Sequence, residues 1–149
     1  MDIETRLTRL EDHIAIRDLR ANYCYAADDH DWDAFVDLFT PDVHLDFGPI
    51  GQFDGHDGVR ELAATVEEEH PFLVHMMHNP VVEFEDSNRA TGRWYVEVPC
   101  TFRDDSAGWI QATYLDEYRR EGEEWLFEGI TAEFSYFADY REGWADIVL

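Results

Sequence analysis

Apolar residues open the chain at helical spacing. Ile3, Leu7, Leu10, Ile14, Leu19, Tyr23 and Ala26 follow one another in steps of mostly three and four, which marks one face of a helix from Ile3 to about Ala27, with room for one interruption. Asp28-Asp29-His30-Asp31 then offers capping carboxylates to a short amphipathic helix, Trp32 to Phe39, that Thr40-Pro41 stops. Val43 to Phe47 alternates like a strand, Gly48-Pro-Ile-Gly51 is a turn, and Gln52-Phe53 adds a strand residue or two. Gly55-His-Asp-Gly58 leads into a helix from about Val59 to Glu69, ended near Pro71.

From there the period changes. Leu73 to Glu85, Arg89 to Arg103, Trp109 to Arg119 and Trp125 to about Phe137 are rich in β-branched and aromatic residues. Turn signals part them at Asp86-Ser-Asn88, at Asp104 to Gly108 and at Glu121-Gly-Glu123. Helices first and long strands after predict an α+β fold. Alternation sorts the faces: Trp94, Val96, Val98, Cys100 and Phe102 form an apolar side, opposite Arg93, Tyr95, Glu97, Thr101 and Arg103. Ala112 and Tyr114 share a face in the next strand, and Ile130, Ala132 and Phe134 share one in the last. A curved sheet of this kind can wrap its apolar side around three helices.

The length, 149 residues, suits one domain spanning 1–149. With 45% hydrophobic and 15% aromatic residues the chain has the means to build a core despite its charge. That charge is extreme: 34 Asp+Glu against 11 Lys+Arg, net −23, with every base an Arg and no Lys. Carboxylate excess without Lys suits a cytoplasm of molar salt, where the Debye length falls to ~3 Å, and predicts a halophilic source. An acidic protein from a genome that favours Arg codons has the same composition. Either way the surface repels nucleic-acid phosphate and anionic lipid, so neither nucleic acid nor membrane is expected as partner. The charged N-terminus reads as helix rather than signal peptide, which predicts a cytoplasmic protein. Cys24 and Cys100 lie in no metal or redox spacing and read as buried reduced thiols.

Candidate chemistry gathers around Asp28. A carboxylate at the end of an apolar helix is costly without a partner, and His75 can be that partner. An Asp–His pair of this kind fixes the imidazole tautomer and leaves the second nitrogen as a base. Tyr23, five residues before Asp28, could donate to a substrate carbonyl, and Tyr114 is a second donor. On the other reading Asp28 caps the helix beginning near Trp32, His75 is a satisfied core histidine, and Tyr23 is a core aromatic. His75-x-x-His78 has a zinc-like look, but residues three apart in a strand point to opposite faces, so no metal is expected. His30, His44, His56 and His70 lie among acidic or turn residues and read as surface.

Asp31-Trp32-Asp33, Phe39-Thr-Pro-Asp42, His75, Gly92-Arg-Trp-Tyr95 and Gly122-x-x-Trp125, in this order, resemble the SnoaL-like branch of the nuclear-transport-factor-two-like superfamily. The similarity runs from about Ile14 to about Phe137. It implies a cone of strongly curved mixed or antiparallel sheet around about three N-terminal helices, with an internal pocket. The pattern is similar to that of scytalone dehydratase and bile acid 7α-dehydratase, which implies catalytic roles for His75, Asp28 and Tyr23. Pocket-lining positions would be Phe47, Trp94, Val98, Cys100, Ala112, Tyr114, Ala132 and Phe134. Several depart from those enzymes' polar residues: Val98 replaces an Asp, Ala132 an Arg and Cys100 a His. The resemblance implies a lyase (dehydratase) or isomerase/cyclase that needs no cofactor and acts on a hydrophobic carbonyl-bearing small molecule. It also implies a homo-oligomer, trimer ahead of dimer. A noncatalytic ligand-binding or assembly module, or the small subunit of a ring-hydroxylating dioxygenase, are the alternatives on the same fold.

Overall fold

The computed structural model describes residues 1–147. Three helices, α1 (Ile3–Asp28), α2 (Trp32–Val36) and α3 (Gly55–Glu69), precede or interrupt seven strands: β1 (Phe39–Asp46), β2 (Gln52–Asp54), β3 (Phe72–Leu73), β4 (Met76–Phe84), β5 (Arg89–Thr101), β6 (Ala107–Glu121) and β7 (Glu124–Asp139). The strands form one mixed sheet in the order β2-β1-β7-β6-β5-β3, with β4 also paired to β5. β1 runs parallel to β7, and the remaining pairs are antiparallel. Register shifts in the β1·β7, β4·β5 and β6·β7 ladders mark the bulges that bend long strands. The sheet curls into a half-barrel with the helices against its concave side, as expected of the α+β cone.

Alternation decides which side chains fill that concavity. In β5, Ala90, Gly92, Trp94, Val96, Val98 and Cys100 are buried, while every residue between them is at least partly exposed. Phe35, Val36, Val59 and Leu62 join them in the core from the helices. None of the helices is long and apolar enough to cross a membrane, among the described residues.

Five local expectations need correction. The apolar stripe of α1 is two stripes: Ile16, Leu19, Tyr23 and Ala26 face the core, but Ile3, Leu7, Leu10 and Ile14 are exposed. The reason is the step of five between Ile14 and Leu19, which turns the stripe by about 140° at 3.6 residues per turn. α2 ends at Val36 rather than Phe39; Thr40-Pro41 lies inside β1, at the ladder irregularity between Phe39 and His44, where a missing N–H is tolerated. α3 starts at Gly55, four residues early, because Gly55 takes a φ of +65° that lets the chain leave β2 directly into the helix. The expected strand Leu73 to Glu85 is broken: β3 and β4 both pair with β5 but leave Val74 and His75 between them. His56 is half-buried rather than on the surface, with its Nε2 2.9 Å from the Phe39 carbonyl.

Candidate active site

The gap between β3 and β4 is where Asp28 acts. The last residue of α1, Asp28 accepts the His75 backbone N–H on both carboxylate oxygens, each at 3.1 Å, and meets His75 Nδ1 at 2.7 Å. The carboxylate thus replaces the ladder partner that the strand lacks and fixes the ring. Both side chains are largely buried, 10% of His75 and 16% of Asp28 remaining exposed. An Nδ1–H held on a carboxylate leaves Nε2 with its lone pair, the arrangement of a general base. Asp28 is not the cap of α2, since Asp31 accepts the Ala34 N–H there at 3.2 Å. His78 meets Glu97 at 3.4 Å on an exposed surface.

His75 edges a cavity inside the cone. Tyr23, Trp32, Phe35, Leu62, Val66, His70, Val96, Val98, Tyr114 and Phe134 are among its walls. The space between them is about 600 Å³ including the open mouth, but only about 50 Å³ admits the centre of a water molecule, so the cavity is narrow. Its lining is overwhelmingly apolar, and its polar groups are few. Burial pushes the Tyr114 hydroxyl up to about 12 and that of Tyr23 well above its ordinary value, so both keep their protons and can donate. Their rings stand edge to face, 6.4 Å apart, and Tyr23 meets His75 in the same manner at 5.8 Å.

Of the positions expected around the pocket, the cavity brings together Tyr23, His75, Phe47, Val98, Tyr114 and Phe134. Asp28 stands behind His75 rather than on the wall. Cys100, Ala112 and Ala132 are buried but contribute no wall. Burial pushes both thiols up, Cys24 to about 12 and Cys100 to about 11, and both are free. Trp94 faces an outer cleft that it shares with Arg17, Arg20, Met77 and the far side of His75. His70 is also a correction: it is no surface residue but part of the cavity wall, because α3 runs to Glu69 and delivers it there.

Beneath the tyrosines lies a group that the sequence reading missed. Arg20 is fully buried and pairs with Asp116 through two bonds, 2.5 and 3.1 Å. Burial opposes its charge, and Asp116 more than offsets that, holding the guanidinium protonated. Tyr118 donates to Asp116 at 2.6 Å, and the Trp94 indole donates to Tyr118 at 2.9 Å. The guanidinium packs against Tyr23, Phe127 and Tyr114 at 4.5, 4.4 and 5.1 Å from the ring centres. Gly92 makes room for this network, since a Cβ there would lie 2.7 Å from the Tyr118 hydroxyl. Two signals were available: Arg20 falls on the inward stripe of α1, and Asp116 alternates inward with Tyr114 and Tyr118.

Comparison with known proteins identifies the family. The chain is 27% identical to an uncharacterised protein of Mycobacterium tuberculosis over 100 residues, 66% of this chain and 67% of the relative. Its fold matches the hexachlorocyclohexane dehydrochlorinase LinA-type3 from Novosphingobium barchaimii over 97% of both chains, at 22% identity and a TM-score of 0.83. A proposed scytalone dehydratase from Novosphingobium aromaticivorans matches over 89% of this chain and 90% of its own, at 19% identity and a TM-score of 0.83. At 30% identity, a proposed aromatic ring hydroxylase of the same organism matches over 87% and 94%, with a TM-score of 0.80. The SnoaL-like domain model matches residues 8–131, and the chain therefore belongs to the SnoaL-like domain family.

Proposed function

We propose that the chain is a lyase of the dehydratase type, or an isomerase, that acts without a cofactor on a small, hydrophobic, carbonyl-bearing molecule held in the cone. The observation that carries this reading is the 2.7 Å Asp28–His75 pair set at the wall of a narrow apolar cavity. In the proposed reaction Nε2 of His75 takes a proton from the carbon beside the carbonyl. Asp28 keeps the ring oriented and balances the imidazolium that forms. Tyr23 or Tyr114 donates to the oxygen on which charge builds. In an elimination the imidazolium then returns its proton to the departing hydroxide, which leaves as water. The shared fold with a dehydrochlorinase and a proposed dehydratase supports elimination over other outcomes.

The test is a panel of cyclic β-hydroxy ketones followed by the absorbance of the enone product. Wild-type protein should turn over at least one member, with His75→Gln slower by ~10²- to 10⁴-fold. Equal rates in the two proteins would overturn the assignment. A second reading rests on the 30% identity to a proposed aromatic ring hydroxylase: a companion subunit of a ring-hydroxylating dioxygenase. Co-purification with an iron–sulfur subunit would favour it.

A further inference from the structure

The outward face of α1 carries an apolar line that the fold leaves open to water. Ile3, Leu7, Leu10 and Ile14 stand 79%, 56%, 60% and 60% exposed, on the side of the helix roughly opposite the stripe that packs into the core. Large aliphatic side chains lined up on a surface mark a place where something else binds. Their steps of four, three and four are those of a coiled-coil seam, with Leu7 and Ile14 at one core position of the heptad and Ile3 and Leu10 at the other. Arg17, the next position in the repeat, ends the seam.

The charges beside the stripe decide what covers it. Arg6 and His13 line one edge, and Glu4, Glu11 and Asp18 line the other. None of the five is ion-paired within the chain, among the described residues. A lipid surface is a poor fit, because helices that lie on membranes are rich in Lys and Arg beside the apolar face, and this one has a wholly acidic edge in a chain of net charge −23. A second copy of the same helix fits. Laid parallel and in register, Arg6 of one copy meets Glu11 of the other, and His13 meets Asp18. Laid antiparallel, the edges set acid against acid and base against base, so the charges select one orientation.

We propose that this face of α1 is a self-association surface, on which a second copy of the chain seats its own α1 in parallel about a two-fold axis. Ile3 then stacks on Ile3, and the layers continue through Leu7 and Leu10 to Ile14. The same helix is already fixed on the sheet by Ile16, Leu19, Tyr23 and Ala26, so association need not order it, and a short seam suffices. Because the stripe points away from the core, the two sheets lie on opposite sides of the seam.

Light scattering in molar potassium chloride, where repulsion between two chains of net charge −23 is screened, should give a mass that Leu7→Ser with Leu10→Ser halves. Both residues are exposed, so the circular dichroism of that variant should match the wild type. Orientation is read by Ile14→Cys. In the parallel pairing the two new thiols face each other and oxidise to a disulfide-linked dimer, whereas antiparallel pairing of the stripe holds them about 16 Å apart along the helix. Cys24 and Cys100 are buried and do not compete. At 0.15 M salt Arg6→Glu should weaken association roughly two- to thirtyfold, and adding Glu11→Arg should restore it. A wild-type mass of one chain, or a mass that the Leu7/Leu10 variant leaves unchanged, overturns the proposal. An Ile14→Cys variant that does not cross-link, or an Arg6→Glu variant that associates as tightly as the wild type, overturns the parallel arrangement.

Discussion

Five side chains in or beside the cavity hold protons that water would take from them at high pH. Cys24, Cys100 and Tyr114 ionise near 9.0, 9.0 and 10.0 when exposed, and burial moves them to about 12, 11 and 12, with Tyr23 and Tyr118 raised as well. Above pH 9 the folded chain therefore binds more protons than the unfolded one, and stability falls as pH rises. Melting temperature should hold below pH 9 and decline progressively above it, and Cys24→Ala with Cys100→Ala should move the onset toward pH 10. A flat profile to pH 11 would contradict the burial of these groups. Asp28 and His75 were legible in the sequence because a carboxylate at an apolar helix end has few ways to be satisfied. His70 was not, since it follows three glutamates, and only the run of α3 decides which way it faces.

At the scale of elements, one buried ion pair ties α1 to β6. Arg20 and Asp116 are 96 residues apart and have no exposed surface on either side chain, so removing one leaves the other uncompensated. Such truncations cost about 3 to 5 kcal/mol. Asp116→Ala should therefore lower stability by that order in a denaturant titration, whereas Asp42→Ala, which breaks an exposed pair with Arg119 that solvent screens, should leave stability nearly unchanged. Equal effects would mean that the buried pair anchors nothing. The strands were legible almost to their ends because alternation registers burial directly. What pattern does not carry is a pairing between elements: the break at Val74–His75 exists because Asp28, 47 residues earlier, takes the N–H that the ladder lacks. Likewise, α1 yielded its length readily, while the turn of its stripe lay in a single step of five.

For the whole molecule, net charge −23 is the dominant long-range term. Of the eleven arginines, Arg119 alone engages three carboxylates, Asp42, Glu121 and Glu128, and the excess acids have no such relief. Screening shortens the range of their repulsion to ~3 Å at 1 M salt, against ~10 Å at 0.1 M. Melting temperature should thus rise steadily from dilute buffer to molar potassium chloride, the behaviour expected of a halophilic protein. Equal unfolding temperatures across that range would remove the halophilic expectation and leave composition as the only account of the missing Lys.

The central claim is that Asp28 and His75 form a base that faces a ligand in the cone, and proton exchange tests it without knowledge of the leaving group. Cyclic ketones of the size of the cavity, incubated in deuterium oxide and followed by NMR, report removal of the proton beside the carbonyl. Wild-type protein should catalyse deuterium wash-in for at least one ketone, and His75→Gln should slow it by ~10²- to 10⁴-fold, with Asp28→Asn also impaired. Exchange that persists in His75→Gln at the wild-type rate, or that no ketone of the set shows above buffer, would contradict the claim.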